Sequence, residues 1–307
     1  MYQKLKSALQ GPAQARAAYR QVMRQAPSIA SGIAVLQSVS PSSVVADEEE
    51  PIFLLSAGWR SGSTLLQRLI MSNSSVLVWG EPYDESGFIQ GLAEGMKAFR
   101  PGWPPAEYYY DGTPPNELTG EWIANLFPSL ADMRKAHHAF FDAMFAEPAK
   151  RSGATRWGVK EVRLGVEHAF YLRWLYPNAR FVLLYRNPLE AYQSYCQYGR
   201  SWYNVFPGKP VFTPTAFGQH WRQLMEGFLR DSKALDALVV CYEDLVTGRT
   251  SLDELETYLN IHIDRSVMRT KVGSSEQGGK KVRVNAFERW LLKKAVGPIA
   301  QDLGYTW

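Results

Sequence analysis

The stretch over residues 51–72 constrains the fold more than any other part of this chain. It reads "PIFLLSAGWRSGSTLLQRLIMS": an apolar run, a glycine-containing turn, then apolar residues at helical spacing. A short apolar run bounded by turn signals predicts a buried strand, here 51–57, and the spacing that follows predicts a helix over 64–72. Strand, glycine turn and helix in that order are the parts of a phosphate-binding loop. Gly58 and Gly62 permit a tight backbone, Ser61, Ser63 and Thr64 offer hydroxyls, and Arg60 carries a permanent forked charge. The usual loop of this kind ends Gly-Lys-Ser/Thr, and here Ser63 stands where the lysine would be. That makes a magnesium-bound triphosphate a poor ligand and a less charged mixed anhydride a better one. An ordinary strand–turn–helix connection has the same outline, because glycine turns are common.

The rest of the chain repeats the alternation of strand and helix. Strands are predicted at 76–79, 157–162, 180–186 and 237–243. Asn187, Pro188 and Glu190 read as N-cap, first helical residue and capping-box partner of a helix after the fourth strand. Further helices are predicted over 215–236, from Ser251 onward, and from about Asn285 to Leu303. Strands alternating with helices imply an α/β fold: a P-loop-like parallel sheet flanked by helices, in a single domain. Ligands of such sheets bind at the carboxyl ends of the strands. The domain is expected over 51–307, preceded at 1–50 by an N-terminal helical extension (1–36) and a polar linker. Two loops, 100–120 and 201–215, are rich in proline and aromatic residues, and 273–281 is rich in glycine and lysine.

Length and charge narrow the function. The 307 residues, 46% hydrophobic and 21% charged, suffice for one large core. Net charge is 34 basic minus 30 acidic residues, or +4, too mild to argue for nucleic acid but suited to an anion held by local arginines. Two cysteines, Cys196 and Cys241, make no disulfide framework and read as buried thiols. No apolar run approaches the ~20 residues of a membrane span and no signal peptide is visible, so the expectation is a soluble, cytoplasmic protein.

Three further groups of residues carry chemistry. Arg186 ends the fourth strand and Ser194 lies two helical turns on, a two-point grip for a second phosphate; a surface arginine beside a capped helix looks the same. Glu81, in Gly80-Glu81-Pro82, falls at the second strand's end, where a carboxylate can take a proton from a hydroxyl; a solvated turn glutamate is the plain alternative. Lys160, in "WGVKEV", is a lysine on an apolar strand and needs a partner, either Glu161 or Glu81, or a ligand oxygen that gains charge. No Asp/His cluster at ligand spacing lies near these groups, and no metal is expected.

Together these residues resemble the sulfotransferases that use 3′-phosphoadenosine 5′-phosphosulfate (PAPS). "WRSGSTLLQRLIMSNSSVLVWGEP" resembles the carbohydrate branch of that family, and the tail, "VGSSEQGGKKVRVNAFERW" to "LGYTW", looks more like the tyrosylprotein branch. The resemblance covers about 51–90, 157–196, 237–246 and 271–306. It implies that Arg60, Ser61, Gly62, Ser63 and Thr64 hold the 5′-phosphosulfate, and that Arg186 and Ser194 hold the 3′-phosphate. By the same resemblance Tyr242 faces adenine, and Ser275, Lys280 and Lys281 fall in a loop over the nucleotide. Glu81 becomes the base, with Arg60 and Lys160 as stabilisers of developing charge. The family's Arg-Asp-Pro is Arg-Asn-Pro here, which caps a helix equally well.

The implied reaction sends the sulfuryl group of PAPS to an acceptor hydroxyl and releases adenosine 3′,5′-bisphosphate (PAP). The acceptor expected first is a carbohydrate or glycoconjugate; a natural-product, lipid or tyrosine hydroxyl is the alternative. A homodimer is left open. Two other readings compete: a P-loop phosphotransferase, against which the absent lysine speaks, and a catalytically dead nucleotide binder, against which Arg60 with Glu81 speaks.

Overall fold

The structure is a computed structural model that describes residues 28–39, 49–83, 86–197, 211–249, 252–269 and 283–306, with Gln14, Arg16 and Ala17 besides. Five strands form one parallel sheet: β1 (Ile52–Ser56), β2 (Val76–Gly80), β3 (Arg156–Glu161), β4 (Arg180–Tyr185) and β5 (Leu238–Cys241). Their spatial order is β2-β3-β1-β4-β5. From β1 the chain crosses to one side of the sheet and from β3 to the other, so the order reverses around β1. That reversal is the switch point where open α/β sheets bind ligands.

The helices are α1 (Ile29–Val39), α2 (Ser63–Met71), α3 (Phe88–Glu94), α4 (Leu130–Phe141), α5 (Glu147–Arg151), α6 (Val166–Leu175), α7 (Pro188–Gln197), α8 (Pro214–Asp231), α9 (Tyr242–Thr247), α10 (Leu252–Leu259), α11 (Ala286–Val296) and α12 (Ile299–Asp302). All five residues of β1 are buried, as a strand covered on both faces requires. Phe53 and Leu55 face one apolar cluster, shared with α1, α4, α6, α7, α8 and α11. Ile52 and Leu54 face the other, with Leu66, Leu69 and Ile70 of α2 and Leu255 and Leu259 of α10.

Several local expectations change. Helix α1 runs to Val39, into the segment expected as linker, and buries Ile29, Ile33 and Leu36 in the domain's main cluster. The linker's acidic end is engaged: Lys150 Nζ donates to Glu49 Oε1 at 2.9 Å and Trp157 Nε1 to Glu49 Oε2 at 3.0 Å. The expected final helix is two, broken at Gly297 (φ 63°) and Pro298, whose ring cannot continue a helix. Strand β5 ends at Cys241, and Tyr242 opens α9 instead of continuing the strand. Cys196 is buried as expected, whereas Cys241 is only half-buried. The start at Ser251 lies outside the described residues.

Candidate active site

The loop after β1 takes a backbone that only its glycines make easy. Gly58, Arg60 and Gly62 have φ of 84°, 62° and 90°. Left-handed residues alternating with ordinary ones turn successive N–H groups to one side, which makes an anion-binding concavity. Arg60 is not glycine, so its φ is a strain held by the surrounding structure, a pattern common at functional sites. At Gly62 a Cβ would run into the ring of Tyr242. The loop feeds α2, whose N-cap, Gly62, makes no side-chain cap. The first N–H groups of that helix are therefore left for a ligand or water, with the positive end of the helix dipole behind them. Ser61 is 1% exposed, and its Oγ has no hydrogen-bond partner among the described residues. A buried hydroxyl without a partner is costly, so a ligand oxygen is the natural complement. This donor set fits a 5′-phosphosulfate.

Arg186 lies just past β4 and is tied to the loop. One of its NH groups donates to Arg60 O at 3.2 Å, and its guanidinium lies 4.5 Å from the Tyr242 ring centroid. Trp221 Nε1 on α8 donates to Arg186 O at 3.1 Å and fixes the backbone there. Arg186 Nε is buried with no hydrogen-bond partner among the described residues, and Glu243 Oε1 lies 3.9 Å from it. Arg60 Nε donates to Ser194 Oγ at 3.1 Å, so the expected two separate phosphate grips are bridged by Arg60. The capping box on α7 also changes. Asn187 Oδ1 caps Leu189 N at 2.9 Å and Glu190 N at 3.3 Å. The Glu190 carboxylate instead accepts from Arg186 at 2.9 Å, and Asn187 N donates to Glu243 Oε1 at 2.9 Å. The nearby arginine wins Glu190 because a charge-assisted bond outweighs a neutral amide.

A second group stands at the end of β3. The β1–β3 register sets Lys160 beside Leu54, two residues before β1 ends. Glu81 follows Gly80, which is paired with Lys160 across β2 and β3. Of the two carboxylates open to Lys160, Glu81 is the one it contacts, through Oε1. Lys160 is 5% exposed, whereas the Glu81 side chain keeps 29% of its surface in solvent. Glu161 goes elsewhere: Oε2 accepts from Arg163 Nε at 2.9 Å and from Val162 N at 3.1 Å, and Oε1 accepts from Arg163 at 2.5 Å. Burial pushes the Glu161 carboxyl above its ordinary range. Arg163 also reaches Glu81 Oε2 at 3.9 Å, so two cations bracket Glu81. Arg163 escaped sequence reasoning, although its spacing three residues after Lys160 was readable.

Ser275, Lys280 and Lys281 lie outside the described residues. Trp59 and His220 also went unnoticed: their rings are 5.0 Å apart, and a Cβ on Gly58 would lie 3.4 Å from His220. Among the described residues no group of three or more His, Cys, Asp and Glu side chains could hold a metal. Nor is any described helix long and apolar enough to cross a membrane.

A parallel sheet with a glycine loop at its switch point, and a lysine–carboxylate pair beside it, defines a phosphate-loop α/β protein. The Sulfotransferase family model matches residues 51–264, well over half of the 307. The chain belongs to the sulfotransferase family. No curated protein matches it. Among solved structures it is similar to the sulfotransferase domain of the curacin biosynthetic pathway, with 17% identity, 85% of this chain and 99% of that one covered, and a TM-score of 0.47. It is similar to the sulfotransferase domain of the Synechococcus PCC 7002 olefin synthase, with 18% identity, 85% and 90% covered, and a TM-score of 0.41. A mouse sulfotransferase complexed with PAP is also similar, with 14% identity, 90% and 85% covered, and a TM-score of 0.38.

Proposed function

We propose that this chain transfers the sulfuryl group of PAPS to the hydroxyl of an organic acceptor. The observation that carries the reading is the loop itself: an uncapped helix N-terminus, a buried unpartnered Ser61 Oγ, and Arg60 joined to both Arg186 and Ser194. A sulfuryl group carries less charge than a γ-phosphoryl group, so arginines and backbone donors suffice where nucleotide kinases add lysine and magnesium. In this reading Arg60, Ser61, Gly62, Ser63 and Thr64 hold the 5′-phosphosulfate, Arg186 and Ser194 the 3′-phosphate, and Tyr242 the adenine. The new bond forms between the acceptor oxygen and sulfur, while the bond from sulfur to the bridging 5′-phosphate oxygen breaks. Glu81 takes the hydroxyl proton. Its Oε1 is occupied by Lys160, so the acceptor approaches Oε2 or displaces the lysine. Lys160 and Arg60 meet the charge that builds on the departing PAP. The aromatic loop at 100–120 offers faces that suit sugar rings and apolar bodies alike.

The test is thermal shift with PAP against ATP-Mg²⁺. A ligand of the native state at about a hundred times its Kd adds about 2.7 kcal/mol of stability. PAP is expected to raise the melting temperature and ATP-Mg²⁺ to leave it; the reverse result would return the phosphotransferase reading.

A further inference from the structure

Two carboxylates stand at the fork of Arg186. Its Nη2 donates to Glu190 Oε2 at 2.9 Å, and its Nε lies 3.9 Å from Glu243 Oε1. Nε and Nη2 form one edge of the guanidinium, an edge that can grip two oxygens of a phosphate at once. Nη1 is turned to Arg60 O at 3.2 Å, and the Tyr242 ring covers one face at 4.5 Å. The Nε–Nη2 edge is therefore the one a 3′-phosphate would take. Glu190 yields readily, because its side chain is 54% exposed and an ion pair within one exposed helical turn is weak. Glu243 is the stronger competitor, since it keeps only 25% of its side chain in solvent and its charge is less screened. Yet 3.9 Å is too long for a hydrogen bond, and Arg186 Nε has no such partner among the described residues.

Three donors hold Glu243 back. Asn187 N donates to Oε1 at 2.9 Å, while Oε2 accepts from the Tyr305 hydroxyl at 3.1 Å and the Cys241 thiol at 3.2 Å. Burial pushes both the hydroxyl and the thiol above their ordinary ranges, so both keep their protons and donate. Tyr305 reaches this place from far along the chain. Helix α12 closes in a Schellman turn: Gly304, at φ 81°, donates to Gln301 O at 2.8 Å and Tyr305 N to Ala300 O at 2.9 Å. The Tyr305 ring then packs edge-on against Tyr185, the last residue of β4, with 6.4 Å between centroids. We propose that Tyr305 is a positioning residue of the 3′-phosphate site: its hydrogen bond keeps Glu243 off Arg186 and leaves the Nε–H for a phosphate oxygen. The proposal rests on the sulfuryl-transfer reading and concerns that same site. Without the hydroxyl, Oε2 keeps only the thiol, a weak donor, and Coulomb attraction draws the carboxylate onto the fork.

The experiment measures the Kd of PAP and of adenosine 5′-monophosphate by calorimetry on the whole chain. Tyr305→Phe is expected to weaken PAP about tenfold, the scale of one charge-assisted hydrogen bond, and to leave the monophosphate unchanged. The same substitution made in Glu243→Gln is expected to change PAP less than about twofold, because no charge is left to close on the fork; the two variants form a cycle that isolates the coupling. Glu190→Gln is expected to tighten PAP about twofold, since it removes the other competitor, and it reads the fork without touching Tyr305. Equal losses of PAP and monophosphate in Tyr305→Phe would overturn the proposal, because a merely structural hydroxyl does not distinguish them. So would a loss that persists in the Glu243→Gln background, or a Glu190→Gln protein that binds PAP more weakly. An unaltered protein that binds PAP no better than the monophosphate would instead overturn the sulfuryl-transfer reading, and the proposal with it, so the two failures are distinct.

Discussion

Glu81→Gln separates a catalytic carboxylate from a structural one. Glu81 contacts Lys160, which is 5% exposed, and breaking a buried ion pair by removing one partner costs about 3–5 kcal/mol. The glutamine cost is smaller for two reasons. Its side-chain oxygen still accepts from Lys160, and position 81 is open enough for water to screen the change. About 1–2 kcal/mol remains, which lowers the melting temperature of a domain this size by roughly 2–8 °C. Catalysis responds on another scale. A positioned base contributes about 10²- to 10⁴-fold, equal to roughly 3–5 kcal/mol of barrier, and glutamine cannot take a proton.

The assay is kcat for ³⁵S transfer at saturating PAPS, read beside the melting temperature and the PAP Kd. The expected pattern is a hundredfold or greater fall in kcat, a modest fall in melting temperature, and a Kd within a few-fold. Lys160→Met is expected to lower kcat more than PAP affinity, because its interaction grows as charge develops. Near-normal kcat in Glu81→Gln would refute the reasoning. Glu161 then makes a poor substitute, since it is 3% exposed and both its oxygens are already occupied by Arg163 and Val162 N.

Three other outcomes are expected. Arg186→Ala should weaken PAP by about 2–3 kcal/mol in calorimetry while leaving a nucleotide without the 3′-phosphate little changed; equal losses would remove the 3′-phosphate assignment. A chain begun at Glu50 loses the burial of Ile29, Ile33 and Leu36, about 5–8 kcal/mol by area, which rivals the stability of a whole domain. It should melt far lower or fail to fold, and an unchanged melting temperature would contradict the packing argument. Burial pushes the Glu49 carboxyl up, but bonds from Lys150 and Trp157 outweigh it and hold it below its ordinary value of 4.5. A depressed carboxyl contributes stability above its unfolded pKa, lost as pH falls through the folded one. The melting temperature should therefore drop below about pH 4.5 more steeply in the native protein than in Glu49→Gln, and identical acid profiles would refute the contribution.

What was legible in the sequence was local. The run "IFLLS" buries both faces because every side chain in it is apolar, and Gly58 and Gly62 stand where the loop needs left-handed backbone. Asn187 and Pro188 announce α7 because capping is settled within four residues. The partners of charged groups were not legible, because cross-strand register decides them. Lys160 chose Glu81 over its own neighbour Glu161 since adjacent residues on a strand face opposite ways. The bridge from Arg60 to Ser194 spans two elements far apart in sequence. Helix α4 was missed although Leu130, Met133, His137 and Phe141 repeat at helical spacing and Ser129 caps it. The helical pattern that holds Ile29, Ile33 and Leu36 was legible, but not the surface that α1 meets, because that is decided by elements far along the chain.

The lysine missing from the loop shows how the sheet places charge. Ser63 occupies that place, buried at the start of α2. The cations come from three elements: Arg60 from the loop after β1, Lys160 from β3 and Arg186 from the end of β4. These strands are neighbours, β3-β1-β4, with Leu54 beside Lys160 and Ser56 beside Leu184. A slip of one residue in either pairing would turn Lys160 to the opposite face or carry Arg186 off the loop. A single lysine on a loop is fixed by the loop alone and reaches two adjacent phosphates. Three cations on adjacent strand ends are fixed relative to one another by backbone register. That arrangement suits a ligand with charge at two separated points and a bond to be cleaved near one of them. In the proposed reading the loop fixes where the anion sits, and the register of its flanking strands selects which anion fits.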